Sequence, residues 1–289
     1  MRKGIILAGG NGTRLFPVTA SISKQLLPIY NKPMIYYPLA TLMLADIREV
    51  ALITTPKDAD QFEHLLGDGS QWGISIQYIQ QESPNGLAEA YILAEEFLDG
   101  APSAMILGDN IFYGSGLRDQ LLDSVAREEA TIFGYHVSDP ERYGVVDFDG
   151  DGNAIDLQEK PVKPATNCAV SGLYFLDGTA SKRARELAPS ARGELEIVDL
   201  LKGYLEEKLL KVQILNRGYA WLDTGTFESL LDASSYVRMI EVRQNLQIGN
   251  LDEIAFRLGL IDRETLSANI EGYPETSYRH YLENLLASA

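Results

Sequence analysis

One cysteine in 289 residues, Cys168, leaves no partner for an internal disulfide and fits a reducing compartment. It opens the apolar stretch CAVSGLYFL with no histidine near it in sequence, so it reads as a buried structural thiol, not a nucleophile. Positive charge is also scarce: 25 Lys and Arg stand against 41 Asp and Glu, a formal charge of −16. An acidic surface of that strength repels polynucleotides and anionic membranes, which argues against nucleic-acid and membrane partners. Any phosphate site must therefore be made positive locally. No apolar run is long enough to cross a bilayer. Met1-Arg2-Lys3 leads directly into an apolar stretch with no room for a signal peptide, and the expectation is a cytoplasmic protein. Internal repeats, linkers and low-complexity segments are missing too.

What remains is ordinary globular composition, 45% apolar and 23% charged, in a length that suits one large α/β domain with an elaborated end. The stretch that organises it is Lys3 to Pro33. Gly4-Ile5-Ile6-Leu7-Ala8 is apolar at consecutive positions, as a parallel strand covered on both faces requires. Gly9, Gly10 and Gly12 then allow a sharp turn whose backbone N–H groups can approach an anion, Thr13 adds a hydroxyl and Arg14 a planar guanidinium. Lys24 can return to the same phosphates, and Gln25 beside it can reach a nucleobase. A P-loop would need Gly-Lys-Ser/Thr after a longer gap. A dinucleotide fingerprint would need a third glycine and an acid after the second strand, where the chain has Thr54-Thr55.

Strands are predicted at 50–54, 74–80 and 104–110, with helices at 34–45, 57–66 and 87–98 between them, a doubly wound start. The loop from Gln80 through Pro84, Gly86 and Leu87 leaves the third strand at its carboxyl end, where such sheets place ligands; it reads either as an ordinary surface loop or as a base-reading one, with the Gln80 amide against a pyrimidine edge and Gly86 admitting the ring. Asp109 ends a buried strand and Asp223 lies in a second apolar stretch, so the pair could clamp one hard cation, although a lone strand-terminal Asp is more often a cap. DGDGN at 149–153 reads as a hairpin turn between strands at 143–148 and 154–158, since a calcium loop would need a terminal glutamate and helical flanks. A strand at 169–176, a helix opened by Arg192, a long helix at 226–247 and a shorter one at 277–287 complete the reading.

GGNGTRLFPVTASISKQLLPIYNKPMIYYPL resembles the signature of the sugar-1-phosphate nucleotidylyltransferases, and SKQLLP places the likeness in their thymidylyl-transferring branch. QQESPNGLAEA, LGDN and EKP are similar to later motifs of that family, and the likeness runs over essentially the whole chain. The resemblance implies an α/β fold with a mostly parallel, Rossmann-like central sheet, helices on both faces and a C-terminal helical elaboration. It places the nucleotidylyltransferase domain at 1–240, with a nucleotide half near 1–110 and a sugar half near 111–240, and a helical cap of the same unit at 241–289. The implied reaction joins dTTP and α-D-glucose 1-phosphate with the help of Mg²⁺. Arg14, Lys24, Lys160 and Asp109 would carry the chemistry, and Asp109 and Asp223 the metal. Leu7, Gly9, Gly10, Gly12, Thr13, Gln25, Gln80, Pro84, Gly86 and Leu87 would bind the nucleotide. Asn110, Tyr143, Gly144, Glu159, Lys160, Val170, Gly172, Tyr174, Arg192 and Trp221 would bind the sugar phosphate. It also implies a homotetramer with a regulatory nucleotide site, for which Tyr113, Gly114, Gly116, Arg118, Arg217, Gly249 and Glu253 are the candidates. Another pyrimidine base, another hexose phosphate, or a non-catalytic nucleotide-binding relative stay open as alternatives.

Overall fold

The computed structural model describes residues 1–10 and 12–288; Asn11 in the glycine loop and Ala289 lie outside the described residues. Strand β1 (Lys3–Leu7) runs into that loop, and a small hairpin of β2 (Pro28–Ile29) and β3 (Lys32–Pro33) precedes helix α1 (Tyr36–Leu44). Then follow β4 (Glu49–Thr54), α2 (Ala59–Leu66), β5 (Ser75–Gln80), α3 (Glu89–Leu93), α4 (Glu95–Leu98), β6 (Ser103–Leu107), β7 (Asn110–Gly114), α5 (Leu117–Ala126) and β8 (Ala130–His136). The next stretch holds β9 (Gly144–Phe148), β10 (Ala154–Glu159), β11 (Cys168–Leu176), α6 (Ala180–Arg185), α7 (Ile197–Glu206), β12 (Leu210–Ile214) and β13 (Tyr219–Asp223). The closing helices are α8 (Phe227–Gln244), α9 (Leu251–Arg257), α10 (Arg263–Gly272) and α11 (Ser277–Ser288).

β1 lies between β4 and β6, parallel to both, with Ile5 opposite Ala51 and Met105. Its side chains alternate between two apolar layers: Ile6 joins Leu39, Leu42 and Ile106 on one face, while Ile5 and Leu7 join Tyr91, Met105 and Leu200 on the other. The consecutive apolar run is thus a strand covered on both faces. β5 extends the parallel part beyond β4. On the other side the sheet is mixed, because β11 runs antiparallel to β6, β8 and β9. The hairpin expected around residues 149–153 is present as β9 and β10; Asp149 Oδ1 accepts the backbone N–H groups of Asp151 and Asn153, which closes the turn.

Several element boundaries differ from the sequence reading. The helix expected at 87–98 is two short helices that meet at Ala94. The strand expected to run to Asn110 stops at Leu107, and Asn110 starts β7, whose partner is β13. Among the described residues the C-terminal region holds four helices, with Thr226, Asn250 and Asp262 capping α8, α9 and α10. Asp252, fully buried on α9, accepts hydrogen bonds from Asn269 Nδ2 at 3.0 Å, Tyr273 Oη at 3.1 Å and Tyr278 Oη at 2.8 Å, which ties α9 to α10, α11 and the turn between them. On α8, Phe227, Leu231, Met239 and Val242 are exposed.

Candidate active site

The glycine loop closes on itself through Gly12, in the left-handed region at φ 56°, whose carbonyl accepts from Thr19 Oγ1 at 2.8 Å. One 3₁₀ turn, Thr13–Leu15, buries Leu15 and leaves Thr13 and Arg14 exposed. A second, Lys24–Leu26, buries Lys24 and Gln25. Lys24 Nζ donates to Asp109 Oδ2 at 2.5 Å, so the lysine foreseen as a phosphate ligand rests on the foreseen metal ligand. Gly9, Gly10, Gly12, Thr13, Arg14, Lys24, Gln25 and Asp109 line one cavity together with Gly225.

Asp223 is brought to Asp109 by the β7–β13 pairing, which sets Asp223 opposite Asn110, and by Thr224 Oγ1, which donates to the Asp109 carbonyl at 2.9 Å. Their environments push the two carboxyls apart. Burial would raise Asp109, but the Lys24 charge, its hydrogen bond and that of Asn110 outweigh it and hold the carboxyl below the usual range. Asp223 is raised, first by burial and then by the negative charge of Asp109, with Lys24, Arg142 and Arg14 only partly offsetting them. Two carboxylates close enough for the charge of Asp109 to raise Asp223 are a donor set that suits a hard divalent cation. Among the described residues no cluster of three or more His, Cys, Asp or Glu side chains could hold a metal, so the remaining ligands of such an ion would be phosphate oxygens and water, as magnesium prefers.

Beyond the carboxylates opens a crevice of about 340 Å³, and every residue assigned to the sugar phosphate lines it: Asn110, Tyr143, Gly144, Glu159, Lys160, Val170, Gly172, Tyr174, Arg192 and Trp221. Leu7, Gly9, Arg14, Gln25, Leu87, Asp109 and Asp223 share its wall. Asn110 organises the floor, because its Oδ1 accepts from Trp221 Nε1 at 2.5 Å and Gly172 N at 3.3 Å while its Nδ2 donates to Asp109 Oδ1 at 2.8 Å. Gly172 has no alternative there, since a Cβ would stand 2.6 Å from that oxygen. Tyr143 packs edge-on to Trp221 at 5.1 Å, and burial followed by the Asp223 charge pushes its hydroxyl up to about 12. Glu159 Oε1 lies 3.2 Å from both Lys160 Nζ and Arg192 Nη2, which gathers two cations around one carboxylate. Lys160 is held at φ 43°, a costly conformation for a side-chain-bearing residue. Arg192 does not open a helix: it sits in a turn fixed by Glu196, and α7 begins at Ile197.

On the nucleotide side lies a cavity of about 320 Å³ lined by Gly10, Gly12, Lys24, Gln81 and Pro84 among others. Gln80, the expected base reader, is exposed and lines none of these cavities; Gln81 is buried and turned inward. At Gly86 a Cβ would stand 2.4 Å from the Leu195 carbonyl oxygen, so packing on the Leu195 backbone already requires a glycine there. Arg142 was missed altogether. It lines the sugar crevice, donates to Asp139 Oδ2 at 2.7 Å and reaches Asp223 Oδ2 at 3.5 Å, and its position next to Tyr143 was the available signal.

The regulatory candidates fall on a separate groove of about 470 Å³ between α1, α5 and α9. Tyr113, Gly114, Gly116, Arg118, Gly249 and Glu253 line it, as does the unforeseen Arg257, which pairs with Glu253. Arg217 does not; it is exposed in the turn before β13.

A glycine loop at the end of a central parallel strand, a carboxylate pair and a crevice that sets Arg14, Arg142, Lys160 and Arg192 among acidic side chains define a nucleotide-transferring enzyme. The family model described as nucleotidyl transferase matches residues 3–239, and the chain belongs to that family. Its curated relatives include the glucose-1-phosphate thymidylyltransferases of Xanthomonas campestris pv. campestris (strain B100), 55% identical over 285 residues with 98% of this chain and 97% of the relative covered, and of Neisseria gonorrhoeae, 53% identical with 98% and 99% covered. That of Mycolicibacterium smegmatis (strain ATCC 700084 / mc(2)155) is 51% identical with the same coverage, 98% and 99%. Among solved structures, one from Bacillus anthracis, described as a glucose-1-phosphate thymidylyltransferase in complex with a sucrose, superposes with a TM-score of 0.76 at 37% identity, covering 82% of this chain and 96% of that one. A UDP-glucose pyrophosphorylase complexed with UDP-glucose shares the fold at a TM-score of 0.73 and 24% identity, covering 83% of this chain and 99% of that one.

Proposed function

We propose that this chain makes dTDP-glucose and pyrophosphate from dTTP and α-D-glucose 1-phosphate. The observation that carries the reading is the meeting of Arg14, Lys24, Asp109 and Asp223 where the glycine loop joins the sugar crevice. An oxygen of the sugar phosphate attacks the α-phosphorus in line, the bond from that phosphorus to the bridging oxygen breaks, and pyrophosphate leaves with the electron pair. No protein nucleophile is called for; Cys168, the one thiol, is buried at the edge of the core. Catalysis is then positioning and charge stabilisation. Arg14 and the loop N–H groups hold the triphosphate, Lys160 and Arg192 hold the incoming phosphate, and Glu159 accepts sugar hydroxyls. Gln81, Gln25 and Pro84 take the base. Asp109 and Asp223 would hold Mg²⁺, which when bound supplies Lewis-acid neutralisation of the reacting phosphates.

The reading extends to assembly and control. The exposed apolar stripe on α8 supports self-association, with a homotetramer as the proposed state, and the groove lined by Tyr113, Arg118 and Glu253 supports binding of a regulatory nucleotide sugar, the end product of the pathway being the natural candidate. A cytoplasmic location is proposed on the same footing as the nucleotide substrate. Other pyrimidine nucleotides or hexose phosphates are the nearest alternatives; a non-catalytic role is disfavoured because the arginine, the lysines and both aspartates are all in place.

Pyrophosphate release measured over a grid of nucleoside triphosphates and sugar 1-phosphates tests the reading. Turnover should peak for dTTP with glucose 1-phosphate and fall away with purines, and a maximum with ATP or with a different sugar class would overturn it.

A further inference from the structure

We propose that Glu89 is a positioning residue that selects the base, by fixing which end of the Gln81 amide faces the nucleotide cavity. The inference rests on the assignment of the base to that cavity. Gln81 leaves β5 with its backbone N–H on the Thr54 carbonyl at 2.8 Å, and its side chain is buried. Its Nε2 donates to Glu89 Oε2 at 2.7 Å, while Asn85 Nδ2 donates to Glu89 Oε1 at 2.8 Å. A carboxylate accepts and does not donate, so the Gln81 amide can meet it only through nitrogen. The carbonyl end must then turn to the glycine loop, and it does: a Cβ on Gly9 would stand 2.5 Å from Gln81 Oε1. Asn85 is tied to Leu195 N through its own carbonyl at 2.7 Å, and Glu89 is the first residue of α3, so the carboxylate is itself held from two sides.

An amide fixed in this way offers the cavity an acceptor, Oε1, beside one spare Nε2–H. That pair complements an imide edge, in which a ring N–H lies next to a carbonyl oxygen, as in thymine and uracil. Cytosine presents the reverse, a bare ring nitrogen beside an amino group, and would set acceptor against acceptor and donor against donor. Rotating the amide would cure the mismatch but would turn Oε1 onto the Glu89 carboxylate. Glu89 thus makes the amide one-sided, and a buried group left facing the wrong partner is where strong discrimination comes from.

The test compares kcat/KM for dTTP and dCTP in the full-length protein and in Glu89→Met and Glu89→Gln. The methionine removes the acceptor at similar length, so the dTTP-over-dCTP ratio should fall by about tenfold or more. The glutamine can donate as well as accept, so it leaves the Gln81 amide free to turn, and its ratio should fall in the same direction. A ratio unchanged in Glu89→Met while both rates drop together would reduce Glu89 to a structural support and overturn the proposal; so would a glutamine variant that keeps the parent ratio. If Glu89→Met does not fold, calorimetric binding of dTTP and dCTP to Glu89→Ala gives the same ratio. A parent enzyme that prefers purines or ignores every pyrimidine nucleotide would instead remove the assignment of the base, and the proposal with it.

Discussion

Arg14 sets its guanidinium beside Gly225, whose added Cβ would lie 3.2 Å from Arg14 Nη1 and from Asp223 Oδ2, and so it stands next to the proposed metal ligand at the exposed end of the loop. Arg14→Ala should lower turnover by about 10³ while nucleotide binding weakens only modestly, because single cations in phosphoryl transfer act on charge that develops at the reacting centre; turnover within a few-fold in steady-state pyrophosphate release would remove the assignment. Asp223 supports a prediction of opposite sign. Its pKa is raised in the folded protein, so between the ordinary carboxylate range and that raised value the folded state binds the proton more than the unfolded chain does. Stability therefore falls as pH rises through this window, and the cost persists at neutral pH. Asp223→Asn, without divalent cations, should melt about 1–4 °C higher at neutral pH, with the gain shrinking as the pH is lowered toward 4. A lower melting temperature by calorimetry would show that the Arg142 and Lys24 contacts outweigh the burial. The same substitution should abolish most of the activity, so this carboxylate costs stability for function.

Among the elements, the base loop and the sugar-side turn are one unit. Leu195 N donates to the Asn85 carbonyl at 2.7 Å, Ala88 N donates to the Leu195 carbonyl at 3.1 Å, and Gly86 at φ 111° lies against the same backbone. Gly86→Ala should destabilise the fold by about 1–3 kcal/mol, and because the Leu195 segment carries Arg192 and Glu196 it should raise KM for the sugar phosphate as well as for the nucleotide. An effect confined to the nucleotide in a two-substrate kinetic analysis would break the link. Much of this half was readable in advance. β1 with its glycine loop is written in consecutive apolar residues followed by glycines, and the hairpin of β9 and β10 in Asp149 to Asn153. The mixed character of the sheet was not readable, because all of β11 is buried, so an antiparallel strand has the apolar run of a parallel one. α5 and β8 escaped notice for related reasons: Ser124 puts a polar residue in the buried stripe of α5, and Gly134 interrupts β8, where a Cβ would stand 2.6 Å from Cys168 Sγ. Which of Gln80 and Gln81 turns inward is not legible, because in an extended chain a shift of one residue reverses the face. Residues gathered from distant strands, such as Asp109 with Asp223, came from the family likeness and not from any spacing.

For the whole molecule, the second groove shares no lining residue with the nucleotide and sugar cavities, so the proposed control can be tested apart from chemistry. Arg118→Ala should relieve inhibition by a nucleotide sugar and leave turnover at low nucleotide nearly unchanged, whereas Arg217→Ala should alter neither, since it lies off the groove. Loss of activity in step with loss of inhibition would show that the groove is not a separate site. Leu231→Glu should shift the assembly toward smaller species in light scattering, because a charge would stand in the exposed apolar row of α8; an unchanged mass would place the subunit contact elsewhere. The buried Asp252 has a consequence for how the protein is made in the cell. Its hydroxyl partners Tyr273 and Tyr278 follow it in the chain, the latter by 26 positions. During synthesis the carboxyl group of α9 leaves the ribosome before the groups that make its burial tolerable, so this corner cannot close until translation has passed residue 278. A message cut short between those points would yield a nascent chain with an open, hydrated α9 and an uncovered apolar flank, a substrate for chaperones and proteases and not a smaller working enzyme.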